Sequence, residues 1–297
     1  MNRGDRREEI VRDDRDRETF IKTLGEVCRK TDWQTHAFCL MNNHFHLVVE
    51  TPKANLCAGM QWFLGTYTAR FNRRHRMSGH LFSGRYKSLI VDGSGNGYLK
   101  SVCDYVHLNP IRAQLLRAEQ PLKDYRWSSF GEYLKSPRQR HAWLRVDRLL
   151  GEWQVGGDDA SGRRSFEQAL ERRRHEESAA AVQDWKRMRR AWCWGETGFK
   201  AHLLDLIAGQ SGDHHYGDEI KESAAQKAER LTLEILRQAG WSDAELAQRP
   251  KGDRTKAQLA LRLRRETTAT WKWIAARLQM GHWRSAANAV HLLGREM

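Results

Sequence analysis

Two apolar runs, residues 33–41 and 44–51, meet across Asn42-Asn43, and they constrain the fold more than any other stretch. In the first, Thr35, Ala37 and Cys39 alternate with His36, Phe38 and Leu40, the period-two pattern of a strand. Asn-Asn supplies a tight turn, so the segment is expected to form a β-hairpin. Helical spacing flanks it on both sides. Phe20, Ile21, Leu24, Val27 and Cys28 recur over 14–31 behind acidic residues suited to a helix N-terminus, and Leu56, Met60, Phe63, Leu64, Tyr67 and Phe71 recur over 55–75. A strand is expected around 86–91, and a helix over 98–108 that Asn109-Pro110 stops, because proline restricts the residue before it. The first 110 residues therefore read helix, strand, strand, helix, strand, helix. Beyond a short helix at 127–134, opened by Ser128-Ser129, every periodic segment is helical: 165–194, 224–240, 243–247, 254–266, 270–280 and 284–293. Residues 156–159 and 209–218 read as linkers. The fold class is α+β, with an all-α C-terminal part.

Charge then narrows the partners. Lys and Arg number 51 against 37 Asp and Glu in 297 residues, a formal charge of +14, which makes a polyanion the leading partner. No run approaches the ~18 apolar residues of a membrane span, and the N-terminus lacks the apolar core of a signal peptide, so the expected location is cytoplasmic with no membrane partner. Five cysteines stand singly without a C-x-x-C pair, which disfavours a disulfide framework or a zinc finger. Twelve Trp in so polar a chain exclude a disordered basic tail.

His44 and His46 lie at alternate positions of the second strand, so both imidazoles project to one side of the sheet and Phe45 to the other. Such a pair can hold a divalent metal with one or two further ligands; two ordinary histidines on a solvated strand face satisfy the same pattern. Tyr105 and Asn109 lie four apart, on one face of the third helix. A tyrosine hydroxyl beside a metal can attack a phosphodiester, and an asparagine amide oxygen can serve as a third ligand. Read singly, Tyr105 also fits a half-buried helix tyrosine, and Asn109 a helix-ending residue before Pro110.

The combined string goes further. Leu40-Met41-Asn42-Asn43-His44-Phe45-His46-Leu47-Val48, then Gly79-His80-Leu81-Phe82-Ser83-Gly84-Arg85-Tyr86-Lys87, then Tyr105-Val106-His107-Leu108-Asn109-Pro110-Ile111-Arg112-Ala113, with Trp127-Ser128-Ser129 after them, closely resembles the single-tyrosine HUH transposases, and among them the REP-associated tyrosine transposases. The resemblance spans roughly residues 2–134. It implies a ferredoxin-like βαββαβ core that cuts and joins single-stranded DNA near imperfect hairpins. It also implies that His44 and His46 bind Mg²⁺ or Mn²⁺, that Asn109 completes the metal site, and that Tyr105 is the nucleophile, leaving a 5′-phosphotyrosine and a free 3′-hydroxyl. The chain departs from this pattern at its start: Arg3-Gly4-Asp5-Arg6-Arg7 resembles the family's first turn, yet no apolar strand precedes it. The expectation is a core missing its first strand, either because the given chain begins downstream of the native start or because this copy is damaged.

Basic residues flank the motifs. Arg70, Arg73, Arg74, Arg76, Arg85, Lys87 and Arg112 are candidates for phosphate contacts, with Tyr86 and Trp127 for base stacking. Near the C-terminus, the segment from Trp273 to Gly281 and the run Ala287, Val290, Leu293 suggest two short helices joined at Gly281, a candidate helix-turn-helix with Lys272, Arg277 and Arg284 on DNA; a plain helical bundle fits equally. The expected organisation is a transposase domain at 1–140, a helical linker region at 141–220 and a helical accessory domain at 221–297. The leading function is a metal-dependent single-strand DNA endonuclease and strand transferase, monomeric or homodimeric. Its rivals are a DNA-binding protein without nicking activity and, more weakly, an RNA-processing enzyme.

Overall fold

A computed structural model describes residues 1–117, 119–175, 185–188, 190–208 and 224–296. They divide into two compact units. The first comprises Met1–Gly25, Gln34–Glu50 and Leu64–Gly217, and the second Glu26–Trp33, Thr51–Phe63 and Asp218–Met297.

The first unit is built on an antiparallel sheet in the order β1 (Asn2–Arg3), β3 (His44–Glu50), β2 (Gln34–Leu40). The hairpin forms as the alternation predicts, with Cys39 opposite His46, Leu40 opposite Phe45, and an irregularity between Thr35 and Ala37. The first strand is not missing: Asn2 pairs with Phe45, and Arg3 with His44. Two polar residues carry no period-two signal, which is why the strand was invisible in the sequence. Its partners on both edges hold it. On the edge away from β3, Ser83 N donates to Arg3 O at 2.9 Å, Lys87 N to Met1 O at 2.9 Å, and Gly4 bridges Phe82. The backbone neighbours thus run 81–87, β1, β3, β2, and β2 is bridged in turn by Ser128 and Leu144. The strand expected at 86–91 is corrected: only β4 (Ile90–Val91) is a strand, parallel to β5 (Cys193–Trp194). β5 lies where helix alone was expected, because two residues are too few to show a period.

One sheet face packs on two helices. Phe45 lies 5.1 Å, ring to ring, from Phe20 of α1 (Asp14–Thr31), and Phe20 lies 5.0 Å from Tyr67 of α2 (Leu56–His75). The other face, with Ala37, Cys39 and Val48, packs on α3 (Tyr98–His107) through Leu99, Val102, Cys103 and Val106. Gly97 opens α3 at φ +82°, a left-handed position that glycine takes without strain. Pro110 does not end the helical path. Leu108 interrupts it in helical conformation, and Pro110 sits in the first turn of α4 (Asn109–Arg112), where its missing N–H costs no hydrogen bond.

Residues 141–175 belong to this same core. α5 (Ser129–Tyr133), capped by Ser128, α6 (Asp147–Glu152) and α7 (Ala160–His175) bury Phe130, Tyr133, Leu149, Leu150, Phe166 and Leu170 alongside Val106. The stretch expected as a linker at 156–159 is an anchored turn: Asp158 pairs with Arg140 at 2.6 Å and Arg163 at 3.1 Å, and Gly162 N donates to Asp159 Oδ1. A further helix, α8 (Phe199–Ala208), falls within the expected helical region 141–220, in a stretch that no periodic segment marks. The expected linker at 209–218 lies outside the described residues.

The second unit is helical. α9 (Ala224–Gln238), α10 (Asp243–Gln248), α11 (Arg254–Glu266), α12 (Trp271–Arg277) and α13 (Trp283–Glu296) enclose Leu231, Leu246, Leu263, Ile274, Leu278, Ala286 and Val290. Ser242 and Glu245 form a reciprocal capping box on α10, and Asp253 and Thr270 cap α11 and α12. Gly281, at φ +78°, turns the chain between α12 and α13. Among the described residues no helix is long and apolar enough to cross a membrane.

Candidate active site

The strand alternation and the α3 path bring three of the four expected chemical side chains into ring contact. His44 and His46 project from the same face of β3 with centroids 5.1 Å apart, and the Tyr105 ring meets His46 at 5.5 Å, edge to face. Phe45, between the histidines, is buried on the opposite face. Asn109 follows Tyr105 by one helical turn and is buried. Its amide nitrogen has no hydrogen-bond partner among the described residues, an uncommon state for a buried donor.

His44 is held neutral. Burial, then the positive charges of Arg3 and the N-terminal amine, push its pKa down to about 4. Its Nδ1 lies 2.8 Å from Asn43 Oδ1. Neutral imidazoles are the form that ligates metals. Among the described residues no three His, Cys, Asp or Glu side chains converge as a metal site. A divalent ion here would therefore be held by His44 and His46, with the Asn109 amide oxygen as the candidate third ligand. That nitrogen-rich set suits Mn²⁺ better than Mg²⁺.

Arg112 is the one basic candidate built into this site. Its guanidinium lies 4.4 Å from the Tyr105 ring centroid and 3.7 Å from that of Trp185, and it donates to Tyr105 O at 2.9 Å. Trp185 covers the Tyr105 ring at 5.9 Å, and Tyr105 is 9% exposed. Sequence reasoning missed Trp185: eighty residues from Tyr105, it carries no local signal. His107, in the same motif as Tyr105, points elsewhere; its Nε2 meets Ser129 Oγ at 2.8 Å, and burial pushes its pKa down to about 3. Asp104, beside Tyr105, is fully buried, accepts from Trp153 Nε1 at 3.2 Å and faces Arg173 at 3.1 Å; burial raises its pKa to about 7.

The remaining basic candidates separate by their partners. Arg74 is committed to Asp13 and Asp16, and Arg70 donates to Thr23 Oγ1 at 2.7 Å, so both tie α2 to α1 instead of standing ready for phosphate. Arg73, Arg76, Arg85 and Lys87 are exposed. In the second unit, Arg277 is clamped by Glu229 at 2.8 Å and Asp243 at 2.7 Å, whereas Lys272 and Arg284 are exposed. Trp127, expected as a stacking platform, is half-buried, with the Arg17 and Arg126 guanidiniums 5.6 and 5.3 Å from its ring.

No curated protein and no solved structure matches the chain. Residues 1–109, just over a third of the chain, hold β1 to β3, His44, His46 and Tyr105 and end on Asn109, and this segment matches the family model of the IS200-like transposases.

Proposed function

We propose that the chain is a metal-dependent enzyme that nicks and rejoins single-stranded DNA at hairpins, as the REP-associated branch of the transposases does. The observation that carries this reading is the meeting of His44, His46 and Tyr105 on one sheet face, with the unpaired Asn109 amide one turn further along. The backbone order 81–87, β1, β3, β2, with α1 and α2 on a single face, supports a ferredoxin-like core beneath it.

His44 and His46 would hold Mg²⁺ or Mn²⁺, and Asn109 would offer its amide oxygen to the ion or its amide nitrogen, as donor, to a phosphate. When bound, the ion polarises the phosphoryl oxygens and steadies the leaving oxygen. Tyr105 Oη forms the new bond to phosphorus as the bond to the 3′ oxygen breaks. The phenolic proton is lost, and the 3′ oxygen gains one. The strand is left as a 5′-phosphotyrosine and a 3′-hydroxyl, and attack by a 3′-hydroxyl reverses the step. Arg112, stacked on the Tyr105 ring, places a fixed positive charge beside the developing phosphotyrosine.

The second unit supports a duplex or hairpin grip. From residue 251 onward, ten Lys and Arg stand against three Asp and Glu. α13 turns Ala286, Val290 and Leu293 inward and leaves Arg284, Ser285, Asn288, His291 and Leu292 exposed, a mostly polar face of the kind a helix-turn-helix presents to the major groove.

The test is a hairpin-bearing single strand with a suicide cleavage site, incubated with Mn²⁺ or Mg²⁺. The wild-type chain should give a covalent adduct that Tyr105→Phe abolishes. Tight binding without an adduct favours a non-cleaving DNA-binding protein, a reading that the cover of Trp185 and Arg112 over Tyr105 also supports. Cleavage of RNA in preference to DNA of the same sequence favours RNA processing.

A further inference from the structure

The turn that precedes β3 holds a hydrogen-bond chain outside the catalytic set. Asn43 Nδ2 donates to Arg7 O at 3.1 Å, which fixes which end of the amide faces which way. Its other end, Oδ1, lies 2.8 Å from His44 Nδ1. An amide oxygen only accepts, so His44 Nδ1 must carry the proton. The lone pair of the neutral ring then sits on Nε2.

Arg7 O is itself placed by local structure. Arg6 and Arg7 adopt φ of 49° and 67°, a left-handed pair that side-chain-bearing residues enter at a cost. Gly4 permits the tight approach, since a Cβ there would lie 2.1 Å from Glu8 O. The turn is pinned to the hairpin by Gly4 N to Asn43 O and Ile10 N to Asn42 O, both 2.8 Å. A strained, doubly tethered loop thus presents one carbonyl to one amide, and that amide to one imidazole.

We propose that Asn43 is a positioning residue that, oriented by the Arg7 carbonyl, locks His44 in the Nδ1–H tautomer and presents Nε2 to the divalent ion. This deepens the metal-dependent reading above and rests on it. Partners of this kind fix the tautomer and ring orientation of ligating histidines, and their removal typically lowers metal affinity ~10–100-fold.

Two readouts on the full chain test it. In metal-free wild-type protein, ¹⁵N-resolved histidine NMR should show His44 protonated on Nδ1; protonation on Nε2 overturns the proposal without any variant being made. Mn²⁺ titration followed by electron paramagnetic resonance should then show affinity falling ~10–100-fold in Asn43→Ala, with the His44 tautomer becoming mixed. Asn43→Asp keeps an acceptor for Nδ1–H and should keep both the tautomer and at least wild-type affinity. If Asn43→Asp loses affinity as far as Asn43→Ala does, the acceptor is not the cause and the proposal falls. It also falls if Asn43→Ala binds Mn²⁺ as wild type does. Failure of the underlying reading looks different: Mn²⁺ binding would be absent from wild type, or unchanged in His44→Ala and His46→Ala.

Discussion

The two units differ in how completely they satisfy their buried polar side chains. In the second, Lys30 Nζ donates to the carbonyls of Arg264, Arg265 and Thr267, Asn55 bonds Trp33 and Thr31, Thr232 and Thr267 bond the carbonyls four residues back, and Lys256 reaches Arg249 O and Gln279 O. Among its described buried polar atoms only the Trp62 indole nitrogen stands alone. In the first, Asn109 Nδ2, His36 Nδ1, His107 Nδ1 and Asn2 Nδ2 are buried without a hydrogen bond, and Asp104 is buried with its pKa raised. A buried group with a full set of partners serves the fold. Unpaired groups cost ~1–3 kcal/mol each, and they gather where a fold gives up stability for a site. Two of them stand on or beside the helical path that carries Tyr105.

The sharpest way to break this contrast is Asn109→Leu. It removes an unpaired donor from a buried position, so thermal unfolding should occur at the wild-type temperature or above, while covalent-adduct formation should fall by about two orders of magnitude or more. A loss of stability with activity kept would place Asn109 in the structural class. Leu263→Ala, in the aliphatic core of the second unit, should cost ~2–5 kcal/mol in denaturant unfolding.

Asp104 gives the contrast a pH axis. With its pKa raised from 3.8 to about 7, the native state keeps a proton that the unfolded chain releases between those values. Native stability therefore declines as pH rises from about 4 to 7, by a few kcal/mol at most. Asp104→Asn should flatten the dependence of Tm on pH across that window and raise Tm at pH 8; an unchanged profile would show that Arg173 already compensates the buried charge. Thr267→Val, by contrast, should cost ~1 kcal/mol, because it removes a satisfied hydrogen bond from Leu263 O. The smallest effect separates two arginines: Arg277→Ala should cost ~0–1 kcal/mol of stability, since its carboxylate partners are largely exposed, and Arg284→Ala should leave stability unchanged while lowering the salt slope of duplex binding by about one.

Much of the site was legible because it rests on local periodicity. Alternation put His44 and His46 on one face and Phe45 on the other, and helical spacing put Asn109 one turn past Tyr105, although the helix itself breaks at Leu108. The long helices were equally readable from their apolar spacing, with first-turn acids marking α1. The two-residue strands were not: Asn2-Arg3 and Cys193-Trp194 have no period, and only their ladder partners make them strands. Nor could the chain alone distinguish Arg277 from Arg284, because the difference lies in carboxylates dozens of residues away.

The sequence by itself determined the α+β order, the placing of His44 and His46 on one strand face, the spacing of Asn109 one turn past Tyr105 and the excess of positive charge, since each depends on residues close in the chain or on a simple count. The tertiary structure alone decided that a two-residue strand completes the sheet beside His44, that Trp185 and Arg112 close over Tyr105, and which polar groups are left unpaired. Those outcomes depend on which distant segments share a surface, and no periodicity along the chain encodes that.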